Sequence, residues 1–98
     1  MRGHVPPGTL RLTTQTRAVA EAIRDGHTWG TAIIAHTGMS MSGVYAVLRR
    51  MREAGWATAT AEPADQAHAQ ARPARTLYEL TVTAADALGW PRPAGPTT

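Results

Sequence analysis

Cysteine is absent from this chain, which excludes a disulfide framework and a thiolate metal site. Lysine and phenylalanine are absent too, and all ten basic residues are arginine. High-GC coding bias, which favours Arg and Ala over Lys and Phe, is the alternative reading of that pattern. Against seven acidic residues it still leaves a formal charge of +3 and a pI near 10.6, a balance that points towards a polyanionic partner. No apolar run approaches the roughly 20 residues a membrane span needs, so no membrane role is expected. The opening Met1 to Pro7 lacks the apolar core of a signal peptide, and the expected location is cytoplasmic. His4, His27, His36 and His68 are scattered, with no i, i+4 pair and no Cys beside them, so no metal site is expected. Neither a nucleophile with a base partner, a Gly-rich phosphate loop nor a carboxylate pair stands out, which argues against an enzyme and against a bound cofactor.

What is present is apolar periodicity in a chain of 98 residues, 43% of them hydrophobic, enough for one small core. Residues 1 to 9 hold two prolines and two glycines without any period and read as a flexible arm. From Thr13 or Thr14 as N-cap, Val19, Ala22 and Ile23 form an apolar stripe that predicts a helix over about 14–25, stopped by Asp25 and Gly26. Thr28 is the expected cap of a second helix over Trp29 to Thr37, ended by Gly38.

The segment Thr37 to Trp56 is the most informative. Gly38 suits the left-handed end of one helix, and Ser40 or Ser42 can cap the next, expected over about 41–54 with Gly55 closing it. Val44, Leu48 and Met51 recur at spacings of four and three and must face a core, with Val47 at its edge. The opposite face carries Ser42, Tyr45, Arg49 and Arg52, groups that suit a major groove. Two short helices joined by a Gly-containing turn, the second of them basic, form the helix-turn-helix pattern.

After Gly55 the period changes. A strand is expected from Trp56, then a polar loop over Pro63 to Ala74 without apolar period and mobile at its tip, then a second strand over Arg75 to Val82. Thr83 to Asp86 reads as a capping box opening a short helix that Pro91 terminates, with 91–98 as a disordered tail. The expected fold is mainly α with a small β-hairpin: a winged helix-turn-helix domain over 10–90, made of three helices, a hairpin wing and a short C-terminal helix.

Residues 26 to 56 resemble the PadR-like transcriptional regulators. That family's pattern of glycine, aromatic-Gly pair, Ile-containing helix, Thr-Gly-Leu-Ser and Leu-Tyr-Pro-Ala-Leu-Arg-Arg-Leu helix is matched by Gly26, Trp29, Gly30, Ile33, Thr37 to Ser40 and Val44 to Met51. The close of its wing is similar to Arg75, Tyr78, Leu80 and Thr81. Ala46 stands in place of the usual proline, and Pro91 follows Thr83 too closely for the long dimerisation helix of that family. The resemblance implies a homodimeric, sequence-specific regulator of transcription, most simply a repressor.

Together these features lead us to expect double-stranded DNA as partner, with Ser40, Met41, Ser42, Tyr45, Arg49 and Arg50 at the major groove and Arg72 and Arg75 at the backbone or minor groove. Trp29 and Trp56 are expected in the core, and Trp90 at an interface. No motif supports a small-molecule effector. The alternatives are a winged-helix module that docks an acidic protein through the same face, and an architectural or recombination accessory protein of a mobile element that bends DNA.

Overall fold

The computed structural model describes residues 10–92. Within them five helices and two strands follow in the order α1 (Thr14–Arg24), α2 (Gly30–Thr37), α3 (Met41–Glu53), β1 (Ala57–Ala61), α4 (Ala64–Ala69), β2 (Thr76–Leu80) and α5 (Val82–Leu88). The molecule is mainly helical, with one small two-stranded antiparallel sheet. The expected arm at 1–9 lies outside the described residues, as does the expected tail beyond Arg92. Among the described residues no single helix is long and apolar enough to cross a membrane.

Local chemistry explains the helix boundaries. Thr13 caps α1, its hydroxyl accepting the Thr16 N–H at 3.1 Å. Gly38 ends α2 with φ of +73°, a conformation that costs an L side chain roughly 1–2 kcal/mol. Ser40 then caps α3 by accepting the Gly43 N–H at 3.0 Å, so the turn occupies three residues, and the chain swings through 116° between α2 and α3.

The core forms where α1, α2, α3 and the sheet meet. Val19, Ala22 and Ile23 from α1, Ile33 from α2, and Val44, Leu48 and Met51 from α3 are all buried, as the periodicity requires. Val47 is only 1% exposed and belongs to this core rather than to its edge. Trp56 is buried, whereas Trp29 is half-buried. The register pairs Ala57 with Leu80, Ala59 with Tyr78 and Ala61 with Thr76. On the other side of β2, Trp29 bridges to Leu77, and the Tyr78 N–H donates to the Thr28 carbonyl at 2.7 Å.

Three expectations are corrected here. Thr28 does not cap α2: Trp29 takes the N-cap position without a side-chain bond, because the backbone at 28 and 29 is drawn into pairing with β2. The connection from Pro63 to Ala74 is not an irregular loop, since it contains α4, anchored by buried Ala67 and closed through Ala71 at φ of +54°. A single apolar anchor is too little to register as a period. The last helix is capped by Thr81 rather than Thr83. The Thr81 hydroxyl accepts the Ala84 N–H at 3.3 Å and donates to the Gly55 carbonyl at 2.6 Å, a tertiary bond that Thr83 has no means of making from within α5.

Two stability predictions follow from this packing. Leu48→Ala should cost about 2–5 kcal/mol in denaturant unfolding, the range for a fully buried aliphatic truncation. Thr81→Ala should cost roughly 0.5–2 kcal/mol, the range for losing an N-cap, while Thr83→Ala stays within about 0.5 kcal/mol of the parent; equal losses would contradict the cap assignment.

Candidate nucleic-acid interface

α3 is held by four buried residues, Val44, Val47, Leu48 and Met51, which leaves its other faces outward. At 100° per residue the line furthest from the core runs through Ser42, Ala46, Arg49 and Glu53, flanked by Met41, Tyr45 and Arg52 on one side and Arg50 on the other. Met41 is 64% and Tyr45 42% exposed, and Arg49, Arg50 and Arg52 are exposed as well. Among the described residues these three arginines have no carboxylate partner, whereas Arg24, Arg72 and Arg92 pair with Asp25, Glu62 and Asp86. Arg50 and Arg52 also lie in the last turn, where the helix dipole favours a cation. Ser40 is partly occupied by its capping bond, and its hydroxyl lies 3.4 Å from that of Ser42.

The hairpin lies beside this face. A cleft of about 570 Å³ separates Arg49, Arg52 and Glu53 from Ala57, Thr58 and Ala59 on β1. A second notch, of about 260 Å³, is lined by Trp29, Gly30, Thr31, Tyr45, Arg75 and Tyr78 among others. The Arg75 guanidinium stacks over the Trp29 ring, 4.1 Å from its centroid, a contact worth roughly 0.5–1 kcal/mol where solvent reaches it. Arg75 is thus brought to the same notch as Tyr45, although thirty residues separate them in the chain. Beneath the notch, burial pushes the Tyr78 phenol up in pKa; the neighbouring Tyr45 adds to the rise and Arg52 opposes it.

Arg72 is placed differently. Its guanidinium makes a two-pronged pair with Glu62, Nη2 to Oε2 at 2.8 Å, and Nη1 meets Oε1. Glu62 Oε1 also accepts the Arg75 N–H at 3.3 Å, and the Glu62 N–H donates to the Arg75 carbonyl at 2.7 Å. The Glu62 side chain is only 9% exposed. Arg72 therefore braces the base of the α4 connection, and the cation that reaches the notch is Arg75. The part of the candidate interface that sequence patterns did not place there is the pair Trp29 and Gly30: Trp29 is expected in the core, and Gly30 enters only with it as the aromatic-Gly pair of the resemblance. The aromatic-Gly pairing was a visible signal, but its role depends on contacts with α3 and β2.

Trp90 packs back on its own domain, with the Arg24 guanidinium 4.5 Å from its ring centroid, beside a cavity of about 380 Å³ between α1, β2 and α5. Among the described residues no cluster of three or more His, Cys, Asp or Glu could hold a metal ion. Comparison of the chain with protein-family models, with curated proteins and with solved structures found no match.

The Glu62–Arg72 pair generates a pH prediction. Hydrogen bonding from Arg72, aided by the Arg75 N–H, lowers the Glu62 pKa from 4.5 to about 2. A depressed carboxyl pKa stabilises the folded state above its unfolded value and loses that contribution as protons bind. The pair's contribution should therefore be complete above about pH 5 and fade between pH 4.5 and 2. Thermal unfolding of Glu62→Gln across that range should show a flatter acid limb than the parent, and parallel limbs would exclude the coupling.

Proposed function

We propose that this chain is a winged helix-turn-helix protein that binds double-stranded DNA sequence-specifically and regulates transcription, most simply as a repressor and as a homodimer. The observation that carries the reading is the unpaired arginine face of α3, exposed after a three-residue turn and a 116° swing from α2. Helices joined at 90–120° through a short turn, the second presenting polar and cationic groups, are the arrangement that enters a major groove. Arg24, Arg72 and Arg92 are neutralised by acidic neighbours; of the six described arginines without a carboxylate partner, Arg11, Arg17, Arg49, Arg50, Arg52 and Arg75, three lie on α3 and Arg75 lies at the notch beside it.

Each residue then has a role. Arg49, on the outermost line of α3, is suited to bidentate contact with guanine O6 and N7, worth about 1–3 kcal/mol of discrimination. Ser42 and Tyr45 lie on or beside that line, and Met41 offers an apolar contact to a thymine methyl. Arg50 flanks it towards one backbone. The hairpin is the wing, and Arg75, held on Trp29, is its backbone or minor-groove contact. The resemblance to PadR-like regulators supports the same reading through Trp29, Gly30, Tyr45, Arg49 and Arg50.

Selection of random duplexes by the purified protein at near-physiological salt, with solution mass measured in parallel, tests this directly. Enrichment of a pseudo-palindrome whose half-sites lie about one helical turn apart, roughly 34–36 Å, by a species of dimeric mass is the expected result. Arg49→Ala should relax preference at one base position, and Arg75→Ala should weaken all duplexes alike, lowering the salt slope by about 1. Absence of enrichment would sink the reading in favour of a protein-docking module; strong DNA bending without regulation of a nearby promoter would favour an architectural role.

A further inference from the structure

Gly30 occupies the first position of α2 with ordinary helical backbone, so conformation does not require glycine there. Alanine would be favoured at such a position by up to about 1 kcal/mol on helix propensity. What requires glycine is a neighbour. A Cβ built on Gly30 would lie 2.0 Å from the Tyr45 hydroxyl oxygen, 2.6 Å from Cζ and 3.0 Å from Cε1. These are the three nearest atoms, and all belong to one side chain. The phenol of Tyr45 thus occupies the space that a side chain at position 30 would take.

Three segments converge at that point. Trp29 carries the Arg75 guanidinium on its ring, and its backbone bridges to Leu77 on β2. Gly30, the next residue, receives Tyr45 from α3. Tyr45 and Arg75 therefore line one notch across Gly30, the first residue of α2, and Trp29, its N-cap. With no Cβ at position 30, Tyr45 lies inward against α2. With one, the Tyr45 ring, the far end of a side chain 42% exposed, must give way.

We propose that Gly30 is a positioning residue whose missing side chain sets the conformation of Tyr45, and through it the spacing between the α3 face and Arg75 and hence which duplex sequences are accepted. The functional half of this inference rests on the DNA-binding reading above; the positioning half does not.

The experiment is a double-mutant cycle on the full chain with Gly30→Ala and Tyr45→Ala, read by thermal unfolding, by NMR of the Tyr45 ring where that ring is present, and by affinity for the duplex enriched in selection. Gly30→Ala alone should move the Tyr45 ring signals and lower affinity on the order of tenfold, the loss of one good polar contact. In the Tyr45→Ala background the same change should alter affinity less than about twofold and leave the melting temperature unchanged or higher. Unmoved ring signals, or an equal affinity loss in both backgrounds, would overturn the proposal. Should Gly30→Ala alone fail to fold, recovery of folding in the double variant supports it and continued failure overturns it. If no duplex is enriched, the DNA reading fails by itself, while the ring signals and melting temperatures still decide whether Gly30 positions Tyr45.

Discussion

Burial of Val44, Val47, Leu48 and Met51 fixes the rotation of α3 about its own axis, and most of the candidate interface follows from that constraint. All four are at most 1% exposed, and each contributes roughly 1.5–3 kcal/mol by leaving water. Turning the helix by one residue, or 100°, would lift part of this stripe into solvent and drive an arginine or Tyr45 towards the core. Burying an unpaired guanidinium costs far more than a single apolar contact returns. The polar face is therefore outward because the apolar face has one place to go, and the Ser40 cap with the Gly38 turn sets where along the chain that face begins.

The hairpin is held by a different kind of force. Its base is tied at Trp56 and Thr81 and its far end at Glu62 and Arg75 by backbone bonds, with β1 contributing mostly small side chains. Little apolar area is available there, so charge takes over: the buried side of Glu62 gathers Arg72 and the Arg75 N–H. That arrangement removes one cation from the surface and leaves another, Arg75, to stack on Trp29. Under the proposed function, the ion pair is what makes the wing a defined object rather than a loose loop.

Tyr45 links the two systems. It projects from the helix that the core orients and rests on the residue beside the one that anchors the hairpin cation. Contact is thereby made across three segments of a protein with a limited core.

Much of this was legible from the residues in order. The stripes at Val19, Ala22, Ile23 and at Val44, Leu48, Met51, the caps to within one of two neighbours (Thr13 or Thr14, Ser40 or Ser42, of which the structure uses Thr13 and Ser40), the Gly38 stop and the two strands each depend on neighbours within one turn or one hairpin, and local chemistry is written locally. α4 was not legible, since one buried alanine carries no period. Thr81 as cap and Thr28 as strand partner depend on Gly55 and Tyr78, whose approach no local pattern encodes. The same limit applies to the site. Which residues lie on the α3 face was determined by the sequence itself, through helical periodicity and the apolar stripe. Which cation joins that face was decided only by tertiary structure: Arg72 and Arg75 look alike in sequence, and the pairing of Glu62 with one and the Trp29 ring with the other exists only once the hairpin has closed and lies against the N-terminal end of α2.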